Sequence, residues 1–172
     1  MASILKVSTI QDATNSTTAA SIDTTGRITL PNTEAFYAIN PSAQTISNQT
    51  WSKVNVTSTQ YSRGTGWSGS DARFTAPITG LYSFTTSVNF TTDTGAGAYN
   101  YTEVRKNGSV EYYTFGMKLT STVIEADSQM VGTVTLLLNS GDYVEMWAYQ
   151  DKSSGSPELR SSRNIFSGYL VG

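Results

Sequence analysis

The residues with the best claim to chemistry are Glu125 and Asp127, two carboxylates separated by one alanine in the run TSTVIEAD. Such a pair could act as general acid and base at a glycosidic bond if one carboxyl were shielded from water and its pKa rose. Both fall instead in a polar connection between apolar segments, where each would be solvated. Nothing else in the chain supplies catalytic machinery. There is no histidine and no cysteine, so no imidazole can activate a serine and no thiolate can ligate zinc. The glycine-rich stretch SRGTGWSGSD lacks the lysine of a phosphate-cradling loop and reads as a turn. The other acids of the long connections, Asp93, Asp151 and Glu158, are spread one or two to a segment, which argues against calcium. The chain is expected to be non-enzymatic, without cofactor or metal.

Composition narrows the partners. Lys and Arg total 11 against 13 Asp and Glu, a formal charge of -2, so there is no field to recruit nucleic acid or acidic lipid. No stretch approaches the roughly 20 apolar residues that cross a membrane. The opening residues carry only a short apolar cluster broken by Lys6, too little for an export-signal core. A soluble protein of one main domain is expected.

The elements that must position any site are strands. In GLYSFTTSVNFT, Tyr82, Phe84, Val88 and Phe90 fall on one side and Ser83, Thr85, Ser87 and Asn89 on the other. DYVEMWAYQ sets Val144, Met146 and Ala148 against Tyr143, Glu145, Trp147 and Tyr149 in the same way, and MVGTVTLLLN places Val134, Leu136 and Leu138 together. Short strands separated by turn signals predict an all-β sandwich or barrel. Strands are expected near 80–91, 98–106, 109–119, 127–139, 142–150 and 163–171. Their connections alternate between long (TTDTGAGA, TSTVIEAD, DKSSGSPELRSS) and tight (KNG, NSG). Antiparallel strands reverse at each turn, so the long loops should share one end and the tight turns the other. Longer loops on a rigid scaffold suit recognition, and Asp93, Tyr99, Glu125, Asp127, Asp151 and Glu158 are the apical-loop candidates. By the same parity the apolar last strand, RNIFSGYLVG, ends at the tight-turn base and must be covered by something.

The runs EAFYAIN, ARFTAPITGLYSF, VRKNGSV, LLLNSGDYVEMWAY and RNIFSGYLVG, in order and spacing, resemble the globular head of the C1q-like family, related to the tumour necrosis factor fold. The resemblance spans residues 34–172 and implies a ten-stranded jelly-roll sandwich that assembles as a homotrimer, with first and last strands side by side near the three-fold axis. An obligate interface of that sort buries about 2,000 Å² or more. Carried onto this chain, it makes Phe36, Tyr82, Phe84, Tyr113, Phe115, Phe166 and Tyr169 candidates for the trimer interface, each with ordinary core as the alternative. Trp51, Trp67, Tyr99, Tyr101, Trp147 and Tyr149 are further large rings, expected to serve cross-strand pairing or the subunit seam, with sugar stacking the lesser alternative.

Residues 1–33 differ in texture, nearly free of aromatics and dense in Ser, Thr and Ala. The segment MASILKVSTIQDATN resembles the leaders of tail and other virion structural proteins of bacteriophages, marine ones in particular. That resemblance implies an extended arm that anchors the knob to other virion proteins by strand addition, with Leu5, Val7, Ile10, Ile28 and Leu30 as contacts. The combined expectation is a capsid decoration or short head fibre on the phage particle surface, with a host-surface glycan as a further partner. A tail-fibre tip and a free C1q-like recognition or lectin-like protein are the alternatives.

Overall fold

The computed structural model describes residues 6–90, 99–118, 128–151 and 157–172, and among them every regular element is a strand. The arm carries β1 (Thr9–Gln11), β2 (Thr18–Ile22) and β3 (Ile28–Thr29). The body follows with β4 (Ala35–Ile39), β5 (Gln44–Thr45), β6 (Ser52–Lys53), β7 (Ser58–Arg63), β8 (Trp67–Ser68), β9 (Arg73–Thr75) and β10 (Gly80–Phe90). It is completed by β11 (Tyr99–Lys106), β12 (Val110–Lys118), β13 (Ser128–Leu138), β14 (Tyr143–Gln150), β15 (Glu158–Leu159) and β16 (Ile165–Leu170).

Two sheets face each other. In the first, β10 is central, flanked by β13 and by β16, with β4 and β7 beyond β16 and the short β15–β5 pair joining near Phe90. The second runs β12–β11–β14–β9–β8, with β6 also on β14. Every pairing is antiparallel, and the chain passes repeatedly from one sheet to the other, the jelly-roll pattern that the resemblance to the C1q-like family implies. The six long strands fall where the period-two pattern puts them.

The last strand organises the core. β16 lies between β10 and β4, with Phe166 opposite Thr86 and Ala38. Phe36 stacks on Trp67 at 4.2 Å and meets Phe74 at 5.4 Å, Phe166 at 5.1 Å and Phe84 at 6.4 Å, a continuous aromatic cluster between the sheets. Each such pair adds about 0.5–1.5 kcal/mol beyond area burial. Gly168 lets that cluster reach the strand backbone: a Cβ there would stand 2.5 Å from Phe84 and 2.9 Å from Phe36.

Two polar devices close the ends. At one end the buried Asn40 and Asn164 exchange bonds: Asn164 donates its N–H to Asn40 Oδ1 (3.0 Å), Asn40 donates to the Asn164 carbonyl (3.2 Å), and both side-chain amides donate to the Arg160 carbonyl. Asn89 N–H donates to Asn164 Oδ1 at 2.8 Å, so β4, β10 and β16 are tied together there. At the other end lie the tight turns. Asn107 and Gly108 both take positive φ (52° and 74°), the requirement of a type I′ hairpin, which Asn-Gly meets at low steric cost. Asp142 of the second turn accepts from Lys106 Nζ (2.7 Å), Asn107 Nδ2 (2.8 Å) and the Asn139 N–H (2.8 Å), stapling the two turns. These bonds hold its carboxyl down at about 2.

The arm departs from the extended form expected of it. Asp12 accepts the N–H groups of Thr14 and Asn15, and Asp23 those of Thr25 and Arg27, so two aspartate turns fold it into the meander β1–β2–β3.

Gly168→Val should therefore cost about 2–3 kcal/mol in urea unfolding, because neither the aromatic rings nor the central strand can retreat far. For the Asp142 staple, a folded-state value below the ordinary carboxylate range means its contribution is complete above about pH 4 and disappears as pH falls toward 2. Wild type should lose more of its urea midpoint between neutral pH and about pH 2.5 than Asp142→Asn does.

Candidate functional site

The outward face of the second sheet is built by the residues that alternate with the core. Along β11 the inward set is Asn100, Thr102 and Val104, which turns Tyr99, Tyr101, Glu103 and Arg105 outward. β14 presents Tyr143, Glu145, Trp147 and Tyr149 beside them, in register Tyr101–Tyr149 and Glu103–Trp147. On β12 a register shift at Thr102/Glu103 sets Tyr113 opposite the outward Glu103 and Phe115 opposite the inward Thr102. The extra residue, Thr114, turns its hydroxyl inward to Thr86 Oγ1 (2.6 Å) and the Thr102 carbonyl (3.0 Å).

These strands, with Trp51 from the segment before β6, enclose an open basin of about 600 Å³ lined by Trp51, Tyr99, Tyr101, Tyr113, Tyr149 and Asp151. Tyr99 and Tyr101 are nearly parallel, 4° apart with centroids at 5.9 Å. Trp51 stands at 5.3 Å from Tyr149 and 5.8 Å from Tyr113, tilted 43° and 62°. The Tyr101 ring lies over Gly116, where a Cβ would come within 2.6 Å of it. Asp151 accepts the Tyr99 N–H on Oδ1 and returns its own N–H to the Tyr99 carbonyl at 3.1 Å, which fixes the carboxylate at the rim. Burial, then the charge of Asp151, pushes the Tyr149 phenol up, and burial followed by Glu103 and Glu111 does the same for Tyr113. Both therefore remain hydroxyl donors at neutral pH.

Beside the basin, Glu103 is fully buried and paired to Arg105, whose guanidinium lies 4.2 Å from the Trp147 ring centre and 5.3 Å from that of Trp51. Burial raises the Glu103 carboxyl against the pull of Arg105. Trp147 is thus engaged by Arg105, and Trp67 belongs to the core cluster through Phe36.

A second surface is the outward face of the first sheet. Leu81 pairs with Leu137 across β10–β13, and Val171 lies opposite Leu81, exchanging backbone bonds with it through Gly172. Tyr169 stands one pair further along, against Ser83. Leu137 is 66% exposed and Tyr169 54%, an apolar patch at the tight-turn end. Above it run hydroxyl rows, with Thr85 and Thr133 bonded at 3.0 Å.

The expected interface residues therefore divide. Tyr113, Phe115 and Tyr169 are exposed, whereas Phe36, Tyr82, Phe84 and Phe166 lie inside the sandwich with at most 1% exposure. A ring already sealed by its own subunit has no surface left for a neighbour, so the structure assigns these four to the core. Tyr113 faces the basin. Of the apical candidates, Tyr99 and Asp151 meet there, while Glu158 is on β15, with Thr45 Oγ1 at 3.5 Å. Asp93, Glu125 and Asp127 lie outside the described residues, as does Leu5. Val7, Ile10, Ile28 and Leu30 are exposed on the arm. Among the described residues no three acids converge as metal ligands.

Comparison with known proteins agrees with this architecture. No protein of curated function matches the chain in sequence. Among solved structures, the globular domain of zebrafish complement 1qA protein superposes with a TM-score of 0.56 at 14% identity, covering 82% of this chain and 98% of that one. Murine APRIL (pH 5.0) gives 0.59 at 12% identity over 81% and 100% of the two chains. The Eiger TNF from S. frugiperda gives 0.52 at 11% over 82% and 92%. At such identities the likeness carries the fold alone. The family model described as the C1q domain matches residues 35–171, from the first strand of the sandwich through its last, and the chain belongs to that family.

Proposed function

We propose that the chain is a non-enzymatic structural and attachment protein of a bacteriophage particle, a homotrimeric knob held by its arm and presenting the opposite end to the host surface. One observation carries the trimer: the sheet containing the last strand leaves Leu81, Leu137, Tyr169 and Val171 together on its outward face. Burying such a patch gains roughly 25 cal/mol per Å² of apolar surface, and repeating it around a three-fold axis yields a closed assembly without open edges. Phe115, exposed on the edge strand β12, is a further apolar group for a neighbour to cover.

The polarity of the molecule supports display. The arm enters the body at Glu34, whose carbonyl accepts the Leu170 N–H, so arm and last residues share the tight-turn end. Glu34 also accepts the N–H groups of Thr65 (3.0 Å) and Gly66 (2.9 Å), bracing that junction. The basin lies toward the far end, where Tyr99 opens β11 and Asp151 follows β14, eight-residue strands that run roughly 26 Å from the tight turns. Ile10, Ile28 and Leu30 are left in water on a small sheet whose strands β1 and β3 have open edges, a surface that suits strand addition to another virion protein. Capsid decoration or a short head fibre is the form we favour, attaching to a surface glycan.

Sedimentation at micromolar concentration should give three times the 18.6 kDa chain mass, and Leu137→Asp combined with Tyr169→Asp should give the single-chain mass with an unchanged β-sheet spectrum. A wild-type monomer would remove the reading. Deleting residues 1–33 should preserve the trimer and abolish incorporation into particles; normal incorporation would refute the anchor.

A further inference from the structure

We propose that the aromatic basin is a binding site for a neutral pyranose sugar, a hexose of a surface glycan stacked on its ring faces. The inference rests on the attachment reading above and moves recognition from the long loops to the sheet face beside them. A pyranose has an apolar face of C–H groups and a rim of hydroxyls, each of which must find a partner when it leaves water. The basin offers both kinds of surface. Its floor and walls are five rings at several tilts, and its volume of about 600 Å³ admits one to two sugar rings. Among the described lining residues its polar groups are phenol hydroxyls, kept protonated at Tyr113 and Tyr149, the Trp51 indole N–H and the carboxylate of Asp151. A carboxylate held in a fixed orientation by the Tyr99 N–H is suited to accept from two neighbouring sugar hydroxyls.

Charge selects among ligands. Among the described residues no lysine or arginine lines the basin, and the nearest described cation, Arg105, is already paired to Glu103, so a phosphate, a sulfate or an acidic sugar would meet the like charge of Asp151 first. A quaternary ammonium is the competing ligand for a cage of aromatic rings. Against it, Arg105 already lies over the Trp51 ring, 5.3 Å from its centre, so that ring face is taken by one cation and closed to a second. The rings are also not consumed by each other. They leave an open concavity instead of collapsing, and Tyr113 is 60% exposed. A site that grips a ligand of about a dozen heavy atoms by stacking has a dissociation constant on the order of 1 mM, which three copies per knob and many knobs per particle convert to firm adhesion.

The test is ligand-observed saturation-transfer NMR on the full chain, with methyl glucoside, galactoside and mannoside and with lactose and maltose as probes. At least one should receive saturation from the aromatic protons. Trp51→Ala and Tyr101→Ala should each weaken binding at least tenfold, and Asp151→Asn several-fold. Tyr61→Ala, on the other sheet, should change nothing. If either large truncation fails to fold, Tyr149→Phe and Gly116→Ala take its place. The first removes one hydroxyl, the second displaces the Tyr101 ring, and each should reduce affinity. The proposal is overturned if none of the five probes binds at about 20 mM, if binding survives these substitutions, or if tetramethylammonium displaces the sugar. Sedimentation of the same samples separates the two ideas. A trimer that ignores every sugar sinks only the site, and a monomer that binds one sinks only the knob.

Discussion

The whole body depends on one strand being enclosed from three directions. β16 is bonded along its length to β10 on one side and β4 on the other, and its inward residues Phe166 and Gly168 form one wall of the aromatic cluster. Without it β4 and β7 would have no connection to β10, and Phe36 would lose the surface it packs on. The same strand turns Tyr169 outward, so a single six-residue element specifies both the core of the sandwich and part of its exposed apolar patch.

Much of this was legible in the residues. Strict alternation in GLYSFTTSVNF and DYVEMWAYQ marks strands half-buried in a sandwich, and Asn107-Gly108 announces its hairpin through the φ values that such a turn demands. The division of the interface aromatics could also have been read: Phe166 and Tyr169 are three positions apart on one strand and must face opposite ways. What alternation cannot say is which apolar face is turned into the core and which outward, since both are greasy until the strand order is known.

The basin was harder to foresee for two physical reasons. Its rings come from four separate segments, which are neighbours only because β11 pairs with both β12 and β14 while β6 adds to β14. In addition, Tyr113 and Phe115 share a parity in the sequence yet face opposite sides, because Thr114 is an extra residue whose hydroxyl is drawn inward. The paired rings Tyr99/Tyr101 and Trp147/Tyr149, two apart on outward positions, were the available signal. The arm's meander was likewise encoded locally, by aspartates placed to accept from the residues that follow them.

The place where the arm joins the body has a mechanical consequence. Tension on residues 1–33 enters through Glu34 and runs down the length of β4, whose ladders to β16 and β7 lie across the direction of pull. Such a load strains many hydrogen bonds at once in shear, in contrast to a hairpin unzipped one rung at a time. A load applied to the arm is therefore shared across the ladder, and the body it pulls on stays intact.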